Sequence, residues 1–173
     1  MGKPPAAPYP PELEETAPQE LELGDVVDAV LEDVDWANRR PARGVRLRRT
    51  ELRRCRLTGA ELHDTQLTDV SFIECRLDLV GLRFARLERV VFRDCRMDES
   101  ELYEASLEDV LFERCGLREA TFTGVQARRI ELRGCDLAGL HGVEALKGAR
   151  MPWNDVLENA PLFAHALGIE IVD

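Results

Sequence analysis

The chain has 173 residues, 33 acidic and 23 basic, for a formal charge of −10. It is 45% apolar, enough to bury a core within one domain, and no stretch approaches the run of about 18 apolar residues that a membrane-spanning helix needs. A pI near 4.9 argues against direct nucleic-acid binding, and the first residues lack the apolar stretch of a secretion signal.

Residues 1–22, MGKPPAAPYPPELEETAPQELE, are rich in Pro and Glu and are expected to form a disordered tail. The next stretch, GDVVDAVLEDVDWAN (24–38), places Val26, Leu31 and Trp36 five apart, with Gly24, Ala29 and Val34 two places before each. We read it as an acidic first coil. A helix is the alternative, because Val26, Val27, Val30, Leu31 and Val34 also fit a helical stripe. RRPARG (39–44) shifts this register by one residue, so a bulge or loop is expected there.

From 47 to 137 every fifth residue is Leu, Phe or Met, with Ala127 the one small exception: 13 Leu, 4 Phe, 1 Met and 1 Ala. Two places before each lies a second series, Val45 to Cys135, made of 6 Val, 5 Cys, 4 Ala, 2 Thr, 1 Ser and 1 Ile. Neither series carries a charge, although the chain is 32% charged. A step of five would spiral around a helix and would alternate between the faces of a flat strand. The chain must therefore turn a corner every five residues. A second beat of twenty sets four sides per turn: Cys55, Cys75, Cys95, Cys115 and Cys135 share one column, and Phe72, Phe92 and Phe112 share another. Like residues then stack about 4.8 Å apart. That spacing is too wide for good disulfide geometry, so reduced, buried thiols and a cytoplasmic location are expected.

The beat stops at Gly142. MPWNDVLENAPLFAHALG (151–168) reads as one or two short helices, with Pro161 splitting them and Gly168 as a stop. IEIVD is expected to be a final strand.

The pattern of a small residue two places before a central Leu or Phe runs through Ala60-Glu-Leu62, Cys75-Arg-Leu77, Val90-Val-Phe92, Ala105-Ser-Leu107 and Ala120-Thr-Phe122. It resembles the pentapeptide-repeat protein family. The resemblance implies an all-β solenoid, a right-handed four-sided β-helix, spanning 23–140 with the strong repeats at 45–140. A C-terminal helical cap and dimerisation segment would occupy 141–173.

Function is expected on the walls of such a coil. The histidines His63, His141 and His165 lie in no recognisable nucleophile or metal motif, and no phosphate-binding glycine loop is present. No catalysis, cofactor or metal is expected. The wall carrying 60–64, 80–84, 100–104 and 120–124 is acidic, with Glu61, Asp64, Glu101 and Glu104 against Arg83. The wall carrying 45–49, 65–69, 85–89, 105–109 and 125–129 is basic, with seven Arg against four acids. Members of the resembled family protect DNA gyrase and topoisomerase IV from quinolones. They resemble duplex DNA in width and negative charge and dimerise through a C-terminal helical cap. The tail NDVLENAPLFAHALGIEIV is similar to theirs. The resemblance thus implies a type II topoisomerase partner for Glu61, Asp64, Glu101 and Glu104, and a homodimer joined through Leu157, Leu162, Phe163 and Leu167. A second reading is an interaction scaffold that uses Ile73, Val91 and Leu111 as an apolar patch. A third is nucleic-acid binding through the Arg-rich run 39–56, against which the acidic pI argues.

Overall fold

The computed structural model describes residues 3–12, 23–41 and 44–172. Six parallel strands stack in chain order: β1 (Val26–Glu32), β2 (Arg46–Arg53), β3 (Gln66–Ile73), β4 (Arg86–Arg93), β5 (Ser106–Glu113) and β6 (Gln126–Arg133). From β2 onward each residue pairs with the one twenty further on, as in Leu47 with Leu67 and Phe72 with Phe92. Between β1 and β2 the offset is 21, as in Val26 with Leu47. The stretch 24–38 is therefore a coil and not a helix, and the expected one-residue shift falls between β1 and β2.

Each strand bends across two walls. We call 45–49 and its repeats the first wall and 50–54 and its repeats the second. The third (55–59) and fourth (60–64) walls are turn-like and pair through single bridges. Arg56, Arg76, Arg96 and Gly116 align on the third, and Glu61, Gly81, Glu101 and Thr121 on the fourth. The result is a four-sided solenoid without a lumen, because both uncharged series point inward. Leu52, Phe72, Phe92, Phe112 and Leu132 are fully buried. The phenylalanine rings lie parallel, with centroids 4.9 Å apart for Phe72 and Phe92 and 5.1 Å for Phe92 and Phe112.

The corners use a device that the apolar pattern does not announce. The residue two places after each central Leu or Phe has a positive φ, as in Asp64 at 55°, Leu79 at 59°, Arg114 at 51° and Gly139 at 73°. This left-handed conformation costs an L-residue roughly 1–2 kcal/mol, and the inward pairs and interstrand hydrogen bonds at every coil offset it.

The five cysteines are free and buried. Each thiol contacts two backbone carbonyls, as Cys95 does with Phe72 and Arg93 at 3.4 and 3.3 Å. Cys75 is pushed up to about 12, first by the neighbouring Cys55 thiol and then by burial.

Past β6 the chain forms a 3-10 turn (Val143–Leu146), pairs Arg150 back onto β6, and ends in α1 (Trp153–Glu158) and α2 (Ala160–Ala166), with Pro161 in the first turn of α2. Leu162 and Phe163 pack on the core and close this end of the stack. Gly168 has φ 69° and ends the helix. The expected final strand at IEIVD is not formed over its described residues: 169–172 carry no strand and are exposed, and Arg150 is the residue that pairs with the outer edge of β6.

The disordered tail expected over 1–22 does not describe Lys3–Glu12. This segment has no helix or strand, yet it lies against the first wall, held by hydrogen bonds from Ala6, Tyr9 and Glu12. The rest of that tail, residues 1–2 and 13–22, lies outside the described residues.

Candidate interaction walls

The fourth wall gathers the acidic residues singled out from the sequence. Glu61 and Glu101 occupy one column with Gly81 between them, and Asp64, Phe84 and Glu104 occupy successive corners. Gly81 leaves room for the ring of His63, since a Cβ there would come within 2.6 Å of it. The acids are not a bare stripe. Arg40 Nη2 lies 2.8 Å from Glu61, and Arg83 Nε donates to Glu101 at 2.6 Å. Glu101 in turn raises the Arg83 pKa. Phe84 and Tyr103 meet edge to face at 6.1 Å, both substantially exposed, with Leu79 exposed at an adjoining corner. The neighbouring Glu104 carboxylate raises the Tyr103 pKa. The wall is thus an aromatic pair with a charged rim, a composition common at the centre of protein–protein contacts.

The second wall divides its expected apolar patch. Val91 and Leu111 are register partners on β4 and β5, whereas Ile73 falls in the next column, opposite Arg93. All three are half-buried. Arg93 donates to Glu113 at 2.6 Å, so an ion pair borders this short apolar strip.

At the C-terminal end the four residues expected at a dimer contact separate into two pairs. Leu162 and Phe163 are used by the cap, while Leu157 and Leu167 are exposed, as is Trp153.

The first wall, read from sequence only as basic, is organised by column. At its corner position stand Asp28, Arg49, Asp69, Arg89, Asp109 and Arg129, alternating in sign from coil to coil. Each Arg reaches back one coil to grip the preceding Asp with two nitrogens. Arg89 does so on Asp69 at 2.6 and 3.0 Å, Arg129 on Asp109 at 2.6 Å for both contacts, and Arg49 on Asp28 in the same way. Bidentate pairs of this kind are among the stronger hydrogen-bonded contacts. Asp69 and Asp109 are buried. The Arg129 guanidinium outweighs burial and holds Asp109 down at about 2. Burial would raise Asp69, but Arg89 and the Tyr9 amide bring it below its ordinary value. Summing charge over the wall hid this alternation; reading one column at a spacing of twenty would have found it.

Among the described residues no group of three or more His, Cys, Asp or Glu side chains is placed to hold a metal ion, and no helix is long and apolar enough to cross a membrane.

A family model described as a pentapeptide repeat region matches residues 45–122 and again 65–141, which together span more than half of the chain. No curated protein matches in sequence. Similar solved structures include full-length QnrB1, a plasmid-mediated fluoroquinolone resistance protein. It is 15% identical, with 70% of this chain and 71% of that chain covered and a TM-score of 0.42. A pentapeptide repeat protein from the Arabidopsis thaliana thylakoid lumen is 20% identical, with 62% and 68% covered and a TM-score of 0.44. Rfr23 from the cyanobacterium Cyanothece 51142 is 24% identical, with 66% and 65% covered and a TM-score of 0.29.

Proposed function

The chain belongs to the pentapeptide-repeat family, and on that footing we propose that it works without catalysis, as a coil that binds a protein partner through its fourth wall. The observation that carries this reading is the Phe84–Tyr103 pair, left exposed on a wall whose rim bears Glu61, Asp64, Arg83, Glu101 and Glu104. Aromatic anchors supply contact area at low entropic cost, and the acids select a partner with cationic groups. Ile73, Val91 and Leu111 form a smaller auxiliary surface on the second wall.

The type II topoisomerase implied by the sequence resemblance is the first cationic partner to test. Duplex DNA carries one charge per roughly 1.7 Å of axis, whereas here arginines accompany Glu61 and Glu101. That favours a mixed aromatic and acidic contact over a continuous imitation of phosphate.

The experiment has two arms. In the first, a photo-crosslinking residue replaces Tyr103, with the same probe at Arg118 on the third wall as control. A discrete adduct from position 103, lost with Phe84→Ala, is expected; identical adducts from both positions contradict the reading. The second arm is a gyrase supercoiling assay with and without a quinolone. Changing Glu61, Asp64, Glu101 and Glu104 together to Lys is expected to abolish binding to gyrase, and binding by the unaltered chain is expected to weaken as salt rises. No binding, inhibition or protection at low salt removes the topoisomerase and leaves the crosslinked partner as the one to identify.

A further inference from the structure

We propose that the first wall is a binding site for a polyproline II segment, and that residues 3–12 of this chain fill it as a built-in strap. The strap KPPAAPYPPE runs along the Asp/Arg ladder, its N-terminal end toward the later coils. Three backbone amides donate to the ladder's three carboxylates: Ala6 to Asp109 at 3.0 Å, Tyr9 to Asp69 at 3.1 Å and Glu12 to Asp28 at 3.5 Å. Donors therefore recur every three residues, and acceptors every second coil.

Those two spacings agree for a physical reason. A polyproline II helix rises about 3.1 Å per residue, so three residues advance about 9.3 Å. Two coils at the usual strand spacing advance about 9.6 Å. Only this extended helix keeps one face on the ladder over such a length. A β-strand would advance about 10 Å in three residues and turn its face over.

The proline pattern fits the same period. Pro5, Pro8 and Pro11 are the half-buried positions of the strap, each immediately before a donor. Ala6, Tyr9 and Glu12 keep the N–H that proline lacks. The ladder contributes in two ways: each Arg fixes the orientation of an Asp, and one oxygen of that Asp then takes the strap amide. Arg89 also lies over the Tyr9 ring, with Cζ 5.7 Å from its centroid, a cation–π contact. The site reads a backbone shape and a spacing of three more than any side chain. Its ligand class is accordingly a Pro-rich segment of the form Pro-x-x-Pro-x-x-Pro.

The test uses the full chain with Pro5→Gly, Pro8→Gly and Pro11→Gly, which loosens the strap without touching the coil. The probe is a fluorescein-labelled synthetic peptide of sequence KPPAAPYPPE, read by anisotropy at low salt. The loosened chain is expected to bind this peptide at least tenfold more tightly than the unaltered chain, whose own strap competes at high effective concentration. A peptide with Gly in place of the three prolines is expected to lose at least tenfold, as is the loosened chain carrying Asp69→Asn and Asp109→Asn. The peptide-side control decides the matter even if the Asp changes disturb the coil. Equal binding to loosened and unaltered chains, equal binding by the glycine peptide, or no binding to the loosened chain at millimolar peptide overturns the proposal.

Discussion

Phe92 lies between the parallel rings of Phe72 and Phe112 and is fully buried. Its neighbours belong to stacked coils whose spacing is set by the backbone, so they cannot collapse into a gap. Phe92→Ala is expected to destabilise the protein by roughly 3–5 kcal/mol in a denaturant melt. Arg93→Ala, one place outward, loses only a partly exposed ion pair with Glu113 and is expected to cost at most about 1 kcal/mol. Equal costs would mean that the inward assignment is wrong. The thiols offer a second check. Buried and, for Cys75, pushed up to about 12, they are expected to resist a thiol reagent at pH 8 in the native state, and all five to react after unfolding; rapid native labelling contradicts this. The ladder carboxylates give a pH dependence. Asp28, Asp69 and Asp109 all titrate below the ordinary 3.8 when folded, with Asp109 at about 2. Their contribution to stability is therefore whole above about pH 4 and is lost as pH falls through the folded values. Urea melts from pH 6 to 2 should show the decline below pH 4, and Asp109→Asn should make it shallower.

At the scale of elements, what the sequence shows plainly is what repeats in apolar character. The columns headed by Leu52 and by Cys55 are visible because an inward position excludes charge at every coil. The shift at 39–44 is visible for the same reason, since β1 keeps the same beat one residue out of step. The corners are not legible in this way. Their positive φ is shared by Asp64, Leu79, Phe84 and Arg114, residue types with no common preference for that conformation, because the coil imposes it. The strap is hidden more deeply. A Pro-rich segment buries too little apolar surface to fold alone, and composition therefore reads it as disordered. Its order comes from matching a three-residue period to a two-coil period, a property of two distant segments taken together. IEIVD shows the converse: its β-forming residues 169–172 carry no strand, and the pairing on the outer edge of β6 comes from Arg150 instead.

The whole molecule is a rod with four different sides and two different ends. Leu157, Leu167 and Trp153 remain exposed at the C-terminal end, although Leu162 and Phe163 already seal the core there. We expect a homodimer joined at these ends. Sedimentation at micromolar concentration should report two chains, and Leu157→Asp with Leu167→Asp should give one; a monomeric unaltered chain contradicts it. On this proposal the walls are the working surfaces, and one of them is already occupied by the chain itself. Amide hydrogen exchange on the full protein tests this most directly, because the strap contains its own control. Ala6 and Tyr9 donate to Asp109 and Asp69, while Ala7 is not one of the three donors. After correction for intrinsic rates, Ala6 and Tyr9 are expected to exchange at least tenfold more slowly than Ala7, with the difference vanishing when Pro5, Pro8 and Pro11 become Gly. Equal corrected rates at all three amides in the unaltered chain would contradict the account.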